Sequence, residues 1–180
     1  MHVVFAFRTL AMFSYQESTI KALVANGHRV QVVVDPYRSK IVAAPYTEEL
    51  VLSSGGRFTT HWGIQRRGFM GRVTALARTL LSYTVHASRP EQSKWSQEAW
   101  RSRLPIPLRI LGRFDTSRRV LSSVPIRLAL RAFEMLVPPE RGIVGWLKAQ
   151  NPDVLVASPA NMRPWGDTEY VKAAKSLKIP

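Results

Sequence analysis

The first thirty-four residues confine this chain to one kind of fold. His2 to Phe7 is a nearly continuous apolar run, the pattern of a strand covered on both faces. His28 to Val34 is a second such run, rich in valine, ending at Asp35-Pro36. Between them, Ser14 followed three residues later by Glu17 reads as a capping box that opens a helix. Ile20, Leu23 and Val24 share one face of that helix, and Asn26-Gly27 ends it, the glycine supplying a left-handed turn. Strand, loop, helix, tight turn and strand make a βαβ unit. Such crossovers are right-handed and join parallel strands.

The end of the chain returns to this pattern. Asn151-Pro152 is a turn, and Asp153 to Ala157 is a buried strand. Ser158 to Gly166 is a loop at its carboxyl end. Asp167 caps a helix carrying Val171, Ala174 and Leu177. Ile179-Pro180 reads as the start of a further strand, so the chain is expected to be the amino-terminal part of a longer fold. The sequence therefore predicts an α/β protein: a Rossmann-like open parallel sheet with a helical insertion, its carboxyl-terminal part missing.

The middle is helical and basic, an insertion over about 66–150. Thr47 to Ser53 reads as a short helix and Arg57 to Trp62 as a third strand. Val73, Leu76, Ala77, Leu80, Leu81 and Thr84 line one helical face, and Ser93 to Arg103 forms another helix. Pro105 and Pro107 punctuate the chain. Pro125 to Val137 is strongly amphipathic, with Leu128, Phe133 and Leu136 expected inside and Arg127, Arg131 and Glu134 outside. Trp95 and Trp100 are expected to pack their helix onto the domain. Ile143, Trp146, Leu147 and Gln150 make a last face ahead of the final strand.

Charge and composition narrow the function classes. The net charge is +14, and nineteen of the 26 basic residues are arginine. Such an excess attracts phosphate-rich partners, whether nucleic acid, anionic headgroups or sugar phosphates. There is no cysteine, which removes disulfide frameworks, thiolate metal sites and cysteine nucleophiles. This fits a cytoplasmic protein. The opening apolar run is only a strand long and Arg8 follows it, the reverse of a signal peptide.

Open α/β sheets bind ligands at the carboxyl ends of their strands. The loop after the first strand holds no glycine, which argues against a dinucleotide site there. It offers Arg8, Thr9, Ser14, Tyr15 and Glu17 beside a helix amino terminus, a setting suited to an anion. An arginine ending a buried strand must be paired or reach a ligand, and Glu17 or Asp167 would be its partner. The loop after the last strand offers Asn161, Arg163, Trp165 and Asp167 to a sugar or phosphate, and would lie at the same sheet edge. No histidine pair has metal-ligand spacing, so no metal and no cofactor is expected.

These residues also carry a resemblance. Ser14-Tyr15-Gln16-Glu17-Ser18 and then Leu23-Val24-Ala25-Asn26-Gly27-His28-Arg29-Val30 resemble the opening of GT-B-type glycosyltransferases, with their Leu-x-x-x-Gly-His-x-Val signature. Asn151-Pro152-Asp153-Val154-Leu155-Val156 is similar to the later Pro-Asp-Val-Val strand of that fold. With Glu169-Tyr170-Val171-Lys172-Ala173-Ala174, the combination resembles a bacterial group of glycosyltransferase-like proteins. The resemblance implies the acceptor-side domain of an enzyme that moves a hexosyl group from a nucleotide-sugar. The donor would be held mainly by a second domain, and the chain alone would be inactive. The acceptor would be a glycan or a lipid- or phosphate-linked glycan, with the protein contacting the anionic inner membrane face. Inverting members place a histidine or aspartate base in the first loop. This chain has neither there, so His61 and Asp167 are the candidates for that role. Two other classes fit the residues: a basic, non-enzymatic α/β module that binds nucleic acid or anionic membrane, and a nucleotide-sugar epimerase-like protein.

Overall fold

The computed structural model describes residues 1–7, 12–34, 45–87, 94–102, 104–111, 114–157 and 167–180. The sequence candidates Arg8, Thr9, Asn161, Arg163 and Trp165 lie outside them. The elements run β1 (His2–Phe7), α1 (Phe13–Ala25), β2 (Arg29–Val34), α2 (Pro45–Ser53) and β3 (Phe58–Trp62). Helices α3 (Gly68–Ala87), α4 (Lys94–Arg101), α5 (Ile106–Leu111), α6 (Asp115–Leu121) and α7 (Val124–Leu136) follow. The chain then gives α8 (Arg141–Gln150), β4 (Val154–Ala157) and α9 (Asp167–Ser176). The protein is α/β.

It forms two compact units. The first holds all four strands with α1, α2, α8 and α9; the second holds α3 to α7. The strands of the first unit form one parallel sheet in the order β3-β2-β1-β4. Val3, Phe5 and Phe7 of β1, Val30, Val32 and Val34 of β2, and Phe58 of β3 meet Phe13, Ile20 and Val24 of α1 and Leu50 of α2 on one face. Val4, Ala6 and Val33 meet Ile143 and Leu147 of α8 and Tyr170, Ala173 and Ala174 of α9 on the other. Both faces are covered, which explains why β1 and β2 read as continuous apolar runs rather than alternating ones. Each large side chain fully buried here contributes roughly 1.5–3 kcal/mol.

Local chemistry explains the boundaries. Gly27 has φ +80°. The His28 amide donates to the Leu23 carbonyl and the Gly27 amide to the Val24 carbonyl, the paired bonds that close a helix on a left-handed glycine. Asn151 takes the same left-handed conformation after α8, at φ 45°. Asp153 then fastens the start of β4 to β1: its amide donates to the His2 carbonyl at 2.8 Å, and its Oδ2 accepts from the His2 amide at 2.6 Å. The Asn-Pro-Asp-Val segment is thus a turn plus a register lock. On the outer side of β4, the Leu155 amide donates to the Pro180 carbonyl.

One expectation about α1 fails. The helix begins at Phe13 with Met12 at its cap position, so Ser14 and Glu17 lie inside it rather than forming a capping box. Glu17 instead pairs with Lys21 one turn on, at 2.6 Å.

In the second unit α3 and α7 are joined by an ion pair between a buried arginine and a half-buried glutamate. Arg78 donates from Nε and Nη2 to the two carboxylate oxygens of Glu134, at 3.0 and 2.7 Å. Tyr83 and Leu104 are buried there, with Leu80, Leu108 and Leu121 against them. Three sequence expectations are corrected. Leu128 and Leu136 face solvent and Glu134 is half-buried, because α7 turns its charged edge toward Arg78. Leu76 is exposed while Thr74, Arg78 and Thr84 are buried, so the inward face of α3 is more polar than its spacing suggested. Trp95 is exposed rather than packed. No helix among the described residues is long and apolar enough to cross a membrane.

Candidate functional site

The strand order defines where a ligand belongs. β1, β2 and β3 succeed one another in one direction, and β4 then adds on the opposite side of β1. The reversal makes a topological switch point between β1 and β4, and crevices at the carboxyl ends of such strands are where open α/β sheets hold ligands. In register, Phe5 faces Val156 and Ala6 faces Ala157. The chain leaves β1 after Phe7 and β4 after Ala157, so residues 8–11 and 158–166 continue from neighbouring strand ends. β1 and β4 are neighbours, while the two candidate loops lie outside the described residues.

Three helices begin at this edge. Tyr15, in the first turn of α1, is 80% exposed, and Ser14 beside it is also exposed. Glu17 is half-buried and pairs with Lys21; Arg8, for which it was one expected partner, lies outside the described residues. Asp167 is the first residue of α9, inside the helix rather than at the cap position expected of it.

The amino termini of α8 and α9 are tied together by charges that no local spacing announced. Glu169 is buried, and both its oxygens accept from Arg66: from Nε at 3.3 Å and from Nη2 at 3.0 Å. Glu169 Oε2 also accepts from the Glu140 amide at 3.2 Å, while the Glu140 carboxylate lies 3.7 Å from Arg66 Nε. A buried carboxylate is tolerated only when its lone pairs are filled this way. The consequence for function is negative and useful. Arg66 is committed to two carboxylates, so it is not the cation that would hold a phosphate.

Beside this cluster the chain leaves β3 through a tight passage. The Gly63 amide donates to the Val34 carbonyl at 2.7 Å. A Cβ on Gly63 would stand 3.2 Å from that oxygen and 3.6 Å from the Tyr170 hydroxyl, so a side chain there would crowd the exit. The Tyr170 hydroxyl accepts from the Ile64 amide at 2.8 Å. The Tyr170 ring meets Trp146 edge-on at 6.1 Å, and Trp146 meets His61 at 6.4 Å.

His61 is therefore exposed on the edge strand β3, against Trp146. Among the described residues no carboxylate orients it in the way that a general base is oriented. The structure brings together Arg66, Glu140, Glu169 and Tyr170, none of them singled out from sequence as a site residue. Arg66 and Glu169 are 103 positions apart, and only the topology joins them. Among the described residues no group of three or more His, Asp or Glu is placed to hold a metal ion. No protein family, curated protein or solved structure matches the chain.

Proposed function

We propose that this chain is the acceptor-side domain of a GT-B-type glycosyltransferase, which receives a hexosyl group from a nucleotide-sugar onto a lipid- or phosphate-linked glycan. The observation that supports it is the switch point between β1 and β4. Arg8 and Thr9 follow β1 in the sequence and Asn161 and Arg163 follow β4, its neighbour in the sheet, while Ser14 and Tyr15 are exposed in the first turn of α1. Arginine paired with hydroxyl and amide side chains suits a phosphorylated, hydroxyl-rich acceptor: guanidinium forks take phosphate oxygens, and the neutral groups take sugar hydroxyls. In this reading Asp167, the first residue of α9, would take the proton from an acceptor hydroxyl.

The test is made on the full product of the gene. Transfer from a nucleotide-sugar to a phospholipid-linked glycan is followed in the parent protein and in Arg8→Gln and Arg163→Gln. The reading predicts transfer by the parent, and a loss of about tenfold or more in each variant (~1.4 kcal/mol) with donor affinity unchanged. Transfer unaffected by both substitutions, or a gene product with no second α/β domain to hold the donor, contradicts it.

A further inference from the structure

We propose that the outer side of α7 docks flat onto an anionic lipid bilayer. The starting observation is the inverted helix. Val124, Leu128, Met135 and Leu136 stand at helical spacing on one side of α7, and are 55%, 58%, 77% and 83% exposed. Ala132 is exposed among them, and no residue of the helix is fully buried. The helix is fixed by its other edge, where Glu134 takes the Arg78 fork. The stripe is therefore held outward by an ion pair, and apolar stripes held in water mark contact surfaces.

Charge decides what covers it. Arg131 stands along the flank of the stripe and is exposed. Positions 67–138 carry thirteen Lys and Arg against four Asp and Glu. One partner has to satisfy both features. A nucleic acid would take the arginines but would present phosphates where leucine and methionine stand. A second copy would accept the stripe but would bring the same arginine flank against this one, and like charges repel. An anionic bilayer offers acyl chains to the stripe and headgroups to the Arg131 guanidinium in adjacent layers, with the arginine stem reaching between them. At 13 residues α7 is about 20 Å long, too short to span and suited to lie in the interface plane. This goes beyond the sugar-transfer reading and stands without it.

The experiment uses the whole chain, whose lack of cysteine allows a single labelling site. An environment-sensitive fluorophore is attached to Leu136→Cys, and for comparison to Leu52→Cys on α2, which is 84% exposed. The vesicles are phosphatidylcholine with or without phosphatidylglycerol. The label at position 136 is expected to shift blue on phosphatidylglycerol vesicles only, and to lose the shift in high salt; the label at position 52 is expected to stay unshifted. In co-sedimentation without label, Leu128→Gln/Leu136→Gln is expected to weaken vesicle binding by about tenfold or more. Absent binding, equal shifts at both labels, or binding unchanged in the double variant overturns the proposal. So does a self-association that the double variant abolishes, which would make the stripe an interface between copies.

Discussion

His2 shows how one side chain can serve the fold and set its acid limit. It opens β1, where its backbone holds Asp153 and its Nδ1 donates to the Gln150 carbonyl at 3.1 Å. Its pKa is lowered from the ordinary 6.5, first by burial and then by the positive charge of Arg29, against the opposing influence of the Gln150 carbonyl and Asp153. A histidine lowered in this way binds fewer protons folded than unfolded. Its contribution is therefore complete above about pH 6.5 and is lost as pH falls from there toward the lower folded value. Urea midpoints measured between pH 7.5 and pH 5 are expected to drop on acidification in the parent and to drop less in His2→Gln. Equal acid sensitivity in the two proteins would remove His2 from this account. Sequence alone marked His2 only as a strand start, since neither Gln150 nor Arg29 is its neighbour in the chain. The capping box misread at Ser14 and Glu17 has a similar origin: the spacing is right, but the helix starts at Phe13, whose ring is buried in the core.

At the scale of elements, the strands were legible because burial on both faces leaves a periodicity that needs no partner to interpret. β1 has the boundaries expected, β2 and β3 begin one residue later than the pattern suggested, and α1 ends where Gly27 requires. Faces of helices in the second unit were not legible. An apolar arc identifies a surface to be covered, but not whether the protein or something else covers it. On α7 the decision rests with Arg78, 56 residues from Glu134, which draws the charged edge inward. The Arg66–Glu169 pair acts in the same way on α8 and α9, fixing both helix starts to the exit of β3. Removing one member strands the other in a buried site. Arg66→Ala is expected to lower stability by about 3–5 kcal/mol, while Arg66→Met/Glu169→Leu recovers most of that loss. Chemical denaturation of the three proteins checks it, and a loss under about 1 kcal/mol in the single variant would show that the pair is solvated rather than buried.

At the scale of the whole molecule, the proposed ligand edge follows from the sheet topology. A four-stranded parallel sheet ordered β3-β2-β1-β4 has one switch point, between β1 and β4. The βαβ opening and the closing Asn-Pro-Asp-Val strand made those two strands readable in advance. The charged cluster beside them was not, because it is assembled from the exit of β3, the start of α8 and the start of α9. The second unit contributes a surface of a different kind, with apolar side chains outward and arginine beside them. The central claim, that the β1–β4 edge is the ligand edge, is tested most directly by amide resonance mapping of the full chain titrated with a water-soluble phosphorylated glycan. The account predicts perturbations at Phe7, Phe13 to Tyr15, Ala157 and Thr168, with α7 unmoved. Perturbations confined to α3 to α7, or none at all, would contradict it.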